Sequence, residues 1–307
     1  MSTKNSAGFL DLHIHGAFDV DVLTANAAEM DQLAAALEKR AVEAFLPTLV
    51  PAPLHVLTAA VARLSAWIRT RAPDDGRGAM PLGLHFEGPF VSAARCGALH
   101  RRHFLDGSDP KKVGAFLGAL GNLPGRPMMT MAPEIPGGIE LVRELVARGF
   151  LVSIGHTDAD AATLDKALAA GARHMTHFGN AMRPFHHRDI GPVGWGLLND
   201  AVTVDVIADL HHLSPEMLRL VFKAKGGSSV ALVSDAIPAA GQADGAYSVW
   251  GETLMLEGGV VRNASGALAG SACLLDECVR RLESIGIPEE DARRSASDVP
   301  RRILGLS

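Results

Sequence analysis

Eight short apolar runs recur along the chain, each followed by a stretch of helical period, and this alternation is the pattern of βα units around a parallel sheet. The runs are Phe9–His15, Ala44–Val50, Leu82–Glu87, Pro127–Ala132, Leu151–Gly155, His174–His177, Val202–Ala208 and Val230–Asp235. Eight is the number that closes a barrel, and 307 residues is the size at which one is complete. The expectation is an α/β fold, a (β/α)8 TIM barrel occupying residues 1–307 as one domain. Helical stretches such as Asn26–Arg40, Pro53–Thr70, Gly138–Arg148 and Ala161–Ala170 separate the runs. Asp109 before Pro110 caps a helix over Lys111–Leu120, and Ser214 before Pro215 caps another that stops near Gly226. The segment Ala246–Ala267 departs from the pattern. Its alternation around Gly258-Gly259 reads as a small β insertion after the eighth strand, on the C-terminal face of the barrel.

Composition narrows the partners. Lys and Arg number 29 against 34 Asp and Glu, a net charge of −5, and no basic run is interleaved with aromatics, so nucleic acid is not an expected partner. No window approaches the ~20 apolar residues of a membrane span, and the start lacks the apolar stretch of a signal peptide. Cys96, Cys273 and Cys278 are an odd number without metal-finger spacing, which fits a reducing compartment. The expected location is the cytoplasm, with no membrane contact.

Chemistry concentrates where the runs end. His13 and His15, two apart on a strand, project to the same side and form a metal-ligand pair geometrically. Glu87 closes the third run before Gly88-Pro89, at the end of the barrel where active sites lie, while His85 sits deeper and reads as a packing or supporting histidine. The fifth run delivers His156, the sixth His177, and the apolar eighth presents Asp235. His174 falls at the start of its run, the wrong end for chemistry. Imidazoles and carboxylates without thiolates suit one or two divalent ions, Zn²⁺, Fe²⁺, Mn²⁺ or Co²⁺, with zinc foremost. The fourth run holds no lysine that could be carboxylated into a bridge, so Glu87 fills that role if two ions share a ligand.

These residues resemble the N-acetylglucosamine-6-phosphate deacetylase family of the amidohydrolase superfamily. The resemblance rests on Phe9–Gly16, His85–Phe90, Ala132-Pro133-Glu134, Gly155-His156-Thr157, Thr176–Met182 through Asp189, Ile207–Asp209 to His212, Val233–Ala236 and Leu268–Ser271, in that order along almost the whole chain. It implies hydrolysis of an acetamide on a phosphorylated amino sugar. It also implies that Glu87, His156 and His177 hold the principal metal, that His13 and His15 support a second, and that Asp235 is both metal ligand and catalytic acid/base. Substrate contacts carried over are Asn180, Ala181, His212, Leu268, Ala269 and Gly270, with His100 and with Arg188 as a phosphate ligand similar to one donated across a dimer interface. A homodimer is the expected assembly.

Three departures from the family pattern bear on these expectations. Gly97-Ala98-Leu99-His100 moves the family's histidine by one place, and Leu210 stands where the family often has glycine, a bulk expected to reshape the sugar pocket. The short lead before the first strand leads to the expectation that the family's β-sandwich is missing. Two alternatives stay open: a deacetylase of another N-acyl amino sugar such as N-acetylgalactosamine-6-phosphate, and a catalytically silent sugar-phosphate-binding protein, whose signature would be loss of the ligands or the acid/base.

Overall fold

The computed structural model describes residues 8–73 and 75–306; residues 1–7, Asp74 and Ser307 of the expected 1–307 unit lie outside them. Eight parallel strands follow one another around the molecule: β1 Phe9–Ile14, β2 Val42–Leu49, β3 His85–Glu87, β4 Met128–Met131, β5 Leu151–Ile154, β6 His174–Met175, β7 Thr203–Ile207 and β8 Val230–Val233. Each pairs with the next, with His85 opposite Met128, Met128 opposite Leu151 and Val204 opposite Val230. The seam between β8 and β1 closes just above the regular strands. The Asp235 N–H donates to the His13 carbonyl at 2.9 Å and the His15 N–H to the Ala236 carbonyl at 2.8 Å. Lower in the seam a side chain replaces the ladder: Asp11 Oδ1 accepts the N–H groups of His13 and Ser234, both at 3.2 Å. Burial of that carboxyl pushes its pKa up to about 6 despite these bonds.

Helices cover the sheet, and their ends are set by local chemistry. Asn26 starts α1 (Ala27–Glu38) with a capping box, accepting from Ala28 and Glu29 while the Glu29 carboxylate takes the Asn26 N–H. Further helices are α2 Leu54–Arg69, α3 Pro110–Leu120, α4 Gly138–Ala147, α5 Ala161–Ala170, α6 Gly191–Leu198, α7 Pro215–Lys225, α8 Leu275–Ser284, α9 Glu289–Ala296 and α10 Asp298–Ile303. Asp109 and Ser214 cap α3 and α7 as their sequences predict. The barrel floor is apolar, with Leu10, Leu12, Leu46, Met128 and Val233 packed against Val299 and Leu304 from the α10 region. Each such side chain contributes roughly 1.5–3 kcal/mol on burial. Above the floor lies a hydrogen-bonded layer: His85 Nε2 meets Thr130 Oγ1 at 2.8 Å, Thr130 meets Thr176 at 2.7 Å, and Thr176 meets Ser153 at 2.5 Å.

The insertion after β8 is a three-stranded antiparallel sheet, β9 Gly245–Val249, β10 Glu252–Glu257 and β11 Val260–Arg262. Its inner face, Val249, Leu254, Leu256 and Val261, packs on Ile237, Ala239 and Ala269 beside the barrel mouth. Two details differ from the sequence expectation. The third run breaks into Met80–Pro81, paired with β2, and β3 proper, because Gly83 approaches Arg126 so closely that a Cβ there would lie 2.4 Å from the Arg126 carbonyl oxygen. The first run stops at Ile14, and the runs expected to end in His177 and Asp235 stop two residues earlier, because those two residues take positive φ and the chain leaves the ladder.

Candidate active site

Six side chains meet at the C-terminal mouth of the barrel. His13 and His15 come from the end of β1, Glu87 from the tip of β3, and His156, His177 and Asp235 from the residues just after β5, β6 and β8. All six are buried. His156, His177 and Asp235 sit at φ 48°, 30° and 48°, a left-handed conformation that costs about 1–3 kcal/mol at a non-glycine residue. Neighbours hold each one there. Ser92 N–H donates to the His156 carbonyl at 3.0 Å, Ser271 N–H to the Asp235 carbonyl at 2.8 Å, and the His177 N–H to the Asp205 carboxylate.

The six fall into two groups, His13–His15–Asp235 and Glu87–His156–His177, and within each the ligand-capable atoms lie within 4.8 Å of one another. In the second group the Glu87 Oε1 is 2.9 Å from both His156 Nε2 and His177 Nε2, which are 3.1 Å apart. In the first, His13 Nε2 and His15 Nε2 are 3.0 Å apart, and Asp235 Oδ1 lies 3.3 and 3.2 Å from them. Ligand atoms about 2.0–2.1 Å from one tetrahedral ion stand roughly 3.3 Å from each other, so both groups have the spacing of a ligand set. Glu87 touches both, because its Oε2 is 3.2 Å from His15 Nε2.

The ring nitrogens are oriented for the same purpose. His156 Nδ1 lies 2.9 Å from the Arg95 carbonyl and His15 Nδ1 3.2 Å from the Thr48 carbonyl, so each Nδ1–H donates outward and each Nε2 faces the cluster. The electrostatics call for positive charge between these groups. Burial opposes protonating His15, but the carboxylates of Asp235 and Glu87 outweigh it and raise its pKa to about 10; Glu87 does the same for His177, to about 9. Glu87 is buried, which favours its neutral form, yet His13, His15 and His156 hold it well below the usual carboxylate range, and His13 and His15 lower Asp235 likewise. A divalent ion satisfies the demand these protons would otherwise meet, and the donors, all imidazole or carboxylate, fit Zn²⁺, Fe²⁺, Mn²⁺ or Co²⁺.

A cavity of about 280 Å³ opens above the cluster, at the small end of ligand pockets and suited to one small molecule rather than a polymer. Asn180, Ala181, His212, Leu268 and Gly270 line it, as does Ala98. His212 Nδ1 lies 2.7 Å from Asp209 Oδ2, which fixes the ring with Nε2 free. Three expected contacts, and one expected bulk, fall elsewhere. Ala269 is buried in the core under the antiparallel sheet. His100 lies outside the cavity wall, at the β9–β10 turn, with Nδ1 3.3 Å from Glu252 Oε1 and Nε2 3.3 Å from the Trp250 carbonyl. Arg188 is exposed on the loop before α6, its Nη1 2.8 Å from His187 Nε2. Leu210 packs into the core under the barrel helices and does not reach the cavity.

Several residues have site roles that the sequence does not reveal. Trp250 lines the cavity with its ring 5.0 Å from His15, edge to face. Asp205 supports His177 and also receives His174 Nε2 at 2.8 Å, the partner that explains a histidine at the start of β6. Glu134 accepts from Thr157 Oγ1 at 2.6 Å and from the Asp158 N–H at 2.5 Å, bracing the turn that carries His156. Ala132-Pro133-Glu134 carries part of the resemblance, but nothing in the sequence shows that Glu134 braces the His156 turn.

Against known proteins, no family model matches the chain. It is 35% identical over 277 residues to an N-acetylglucosamine-6-phosphate deacetylase of Bacillus subtilis, covering 90% of this chain and 68% of that protein. It is 34% identical over 299 residues to an N-acetylgalactosamine-6-phosphate deacetylase of Escherichia coli O157:H7, covering 97% and 77%. Among solved structures it is similar to a variant of the Mycobacterium smegmatis N-acetyl-D-glucosamine-6-phosphate deacetylase in complex with N-acetyl-D-glucosamine-6-phosphate, at 32% identity and a TM-score of 0.87, covering 98% of this chain and 78% of that one.

Proposed function

This chain belongs to the N-acetylglucosamine-6-phosphate deacetylase family, and on that footing we propose that it hydrolyses the acetamide of N-acetylglucosamine-6-phosphate to acetate and glucosamine-6-phosphate. The observation that carries the reading is the pair of three-residue ligand groups sharing Glu87 beneath a cavity of small-molecule size. Glu87, His156 and His177 would hold the principal ion, with His13, His15 and Asp235 available to a second, and zinc is the ion we favour. A bound divalent ion supplies a water of lowered pKa and polarises the amide carbonyl.

The chain's own residues do the rest. Asp235 is kept ionised by His13 and His15, so at neutral pH it can accept a proton from the attacking water. It then returns that proton to the sugar nitrogen as the carbon–nitrogen bond breaks, since an amine leaves poorly unless protonated. Asn180 and His212 line the wall and can orient the sugar, while Ala181, Leu268 and Gly270 shape it. Arg188 lies outside its own cavity, which supports a homodimer in which a partner's arginine reaches the phosphate, its planar fork holding two oxygens at once. The free thiols of Cys96, Cys273 and Cys278 support a reducing, cytoplasmic setting. Among the described residues no helix is long and apolar enough to cross a membrane.

The test is acetate release from a panel of N-acetyl sugars, phosphorylated and not, including the galactosamine epimer. N-acetylglucosamine-6-phosphate should give the highest kcat/KM, and absence of release from every phosphorylated member would overturn the reading. Arg188→Ala should raise KM for the phosphorylated substrate at least tenfold with kcat little changed. An unchanged KM would remove Arg188 from the site.

A further inference from the structure

The β9–β10 turn consists of two residues, Trp250 and Gly251, between the paired Val249 and Glu252. Both have positive φ, 54° and 81°, the signature of a type I′ turn, for which Asn-Gly is the favoured pair. A bulky indole in the left-handed region is a strained choice at such a position. Trp250 is half-buried: part of the indole packs against the core and against the apolar cluster under the antiparallel sheet, and part lines the cavity above the metal-ligand cluster. The turn is also pinned. His100 reaches it from the loop after β3, against the Trp250 carbonyl and the Glu252 carboxylate, and the indole stands edge to face on His15 at 5.0 Å. Trp67 and Trp195 also bury an indole beside an aspartate, Asp31 and Asp165, as Trp250 does beside Asp21, but of the three only Trp250 lines the cavity above the cluster.

We propose that Trp250 is a specificity-determining residue, an aromatic wall against which the C–H face of the substrate's pyranose ring lies, held over the cavity by the His100 pin. The proposal rests on the amino-sugar reading given above. A residue kept in an unfavourable backbone conformation, with its ring turned to a ligand cavity, is explained by what the ring does there. Gly251 then supplies the second positive φ without penalty, so the turn's strain is confined to Trp250.

The sequence preference of the turn allows a sharp test. Trp250→Asn removes the ring while giving the turn its favoured residue, and Trp250→Phe keeps a smaller ring. Metal-loaded wild type and both variants are compared for acetate release from N-acetylglucosamine-6-phosphate, bound metal and thermal midpoint. Trp250→Asn should raise KM about tenfold with kcat within about threefold, Trp250→Phe should fall between, and both should hold wild-type metal content. The thermal midpoint of Trp250→Asn should stay close to that of wild type, because the favoured turn residue offsets the packing lost with the indole. A KM unchanged in Trp250→Asn overturns the proposal, as does a metal content that falls in step with activity, which would mean that the indole acts through His15. A lowered midpoint with unchanged KM would make Trp250 a packing residue and overturn it too. Inactive wild type would instead refute the amino-sugar reading itself.

Discussion

Replacing Asp205 by alanine isolates the structural support of the site from its ligands. The carboxylate is fully buried; Oδ1 accepts the His177 N–H and Oδ2 lies 2.8 Å from His174 Nε2. Truncation leaves both partners unsatisfied in the barrel interior. At about 1–3 kcal/mol for each orphaned group, the expected loss is roughly 3–5 kcal/mol, in the range for breaking a buried charged pair. His177, at φ 30°, also loses the bond that holds its backbone in place, so its Nε2 should drift from Glu87 and metal affinity should fall about 10–100-fold. Asp205→Asn keeps an acceptor for the His177 N–H and should lose about half as much. Urea unfolding of the metal-free proteins gives the stability change, and competition with a chelator of known affinity gives the metal term. If Asp205→Ala stays within about 0.5 kcal/mol of wild type and binds metal equally well, the supporting role assigned to Asp205 is wrong.

Two further outcomes are expected. Asp235→Asn should leave substrate binding in place while kcat falls by about 10²–10⁴, as measured by steady-state acetate release; turnover within tenfold of wild type would dismiss its proton-transfer role. In metal-free protein the raised values of His15 and His177, about 10 and 9, mean that their charged partners stabilise the fold fully below about pH 6.5, and this contribution is lost as pH rises through 9 to 10. Thermal midpoints of the metal-free protein should therefore decline between about pH 7 and 10, whereas the metal-loaded protein, with those nitrogens committed to the ion, should not follow. A flat or rising metal-free profile would contradict the charge balance assigned to the cluster.

The barrel was legible because its signal is local. Runs such as Val230–Val233 are continuous apolar segments, as strands covered on both sides must be, and Asp109-Pro110 and Ser214-Pro215 mark helix starts through side-chain bonds to the adjacent backbone. The positions that later meet at the mouth, from His13 to Asp235, could be suggested because strand tips in a barrel share one face. Less visible was α6, where Gly191, Gly194 and Gly196 with Pro192 bury almost every position and leave no amphipathic stripe. Trp250 and the His100 contact depend on how an inserted hairpin leans over the mouth, a tertiary relation that neither periodicity nor spacing records. The same holds for Leu210, whose left-handed backbone at φ 62° turns its side chain into the core rather than the cavity.

The central claim is that six imidazole and carboxylate groups hold a divalent ion on which amide hydrolysis depends. The direct measurement is acetate release from N-acetylglucosamine-6-phosphate by one preparation before chelation, after removal of its metal, and after titration with zinc. The account predicts activity that falls at least a hundredfold on stripping and returns as one to two ions bind per chain, with Glu87→Gln failing to recover. Activity indifferent to complete metal removal would contradict it.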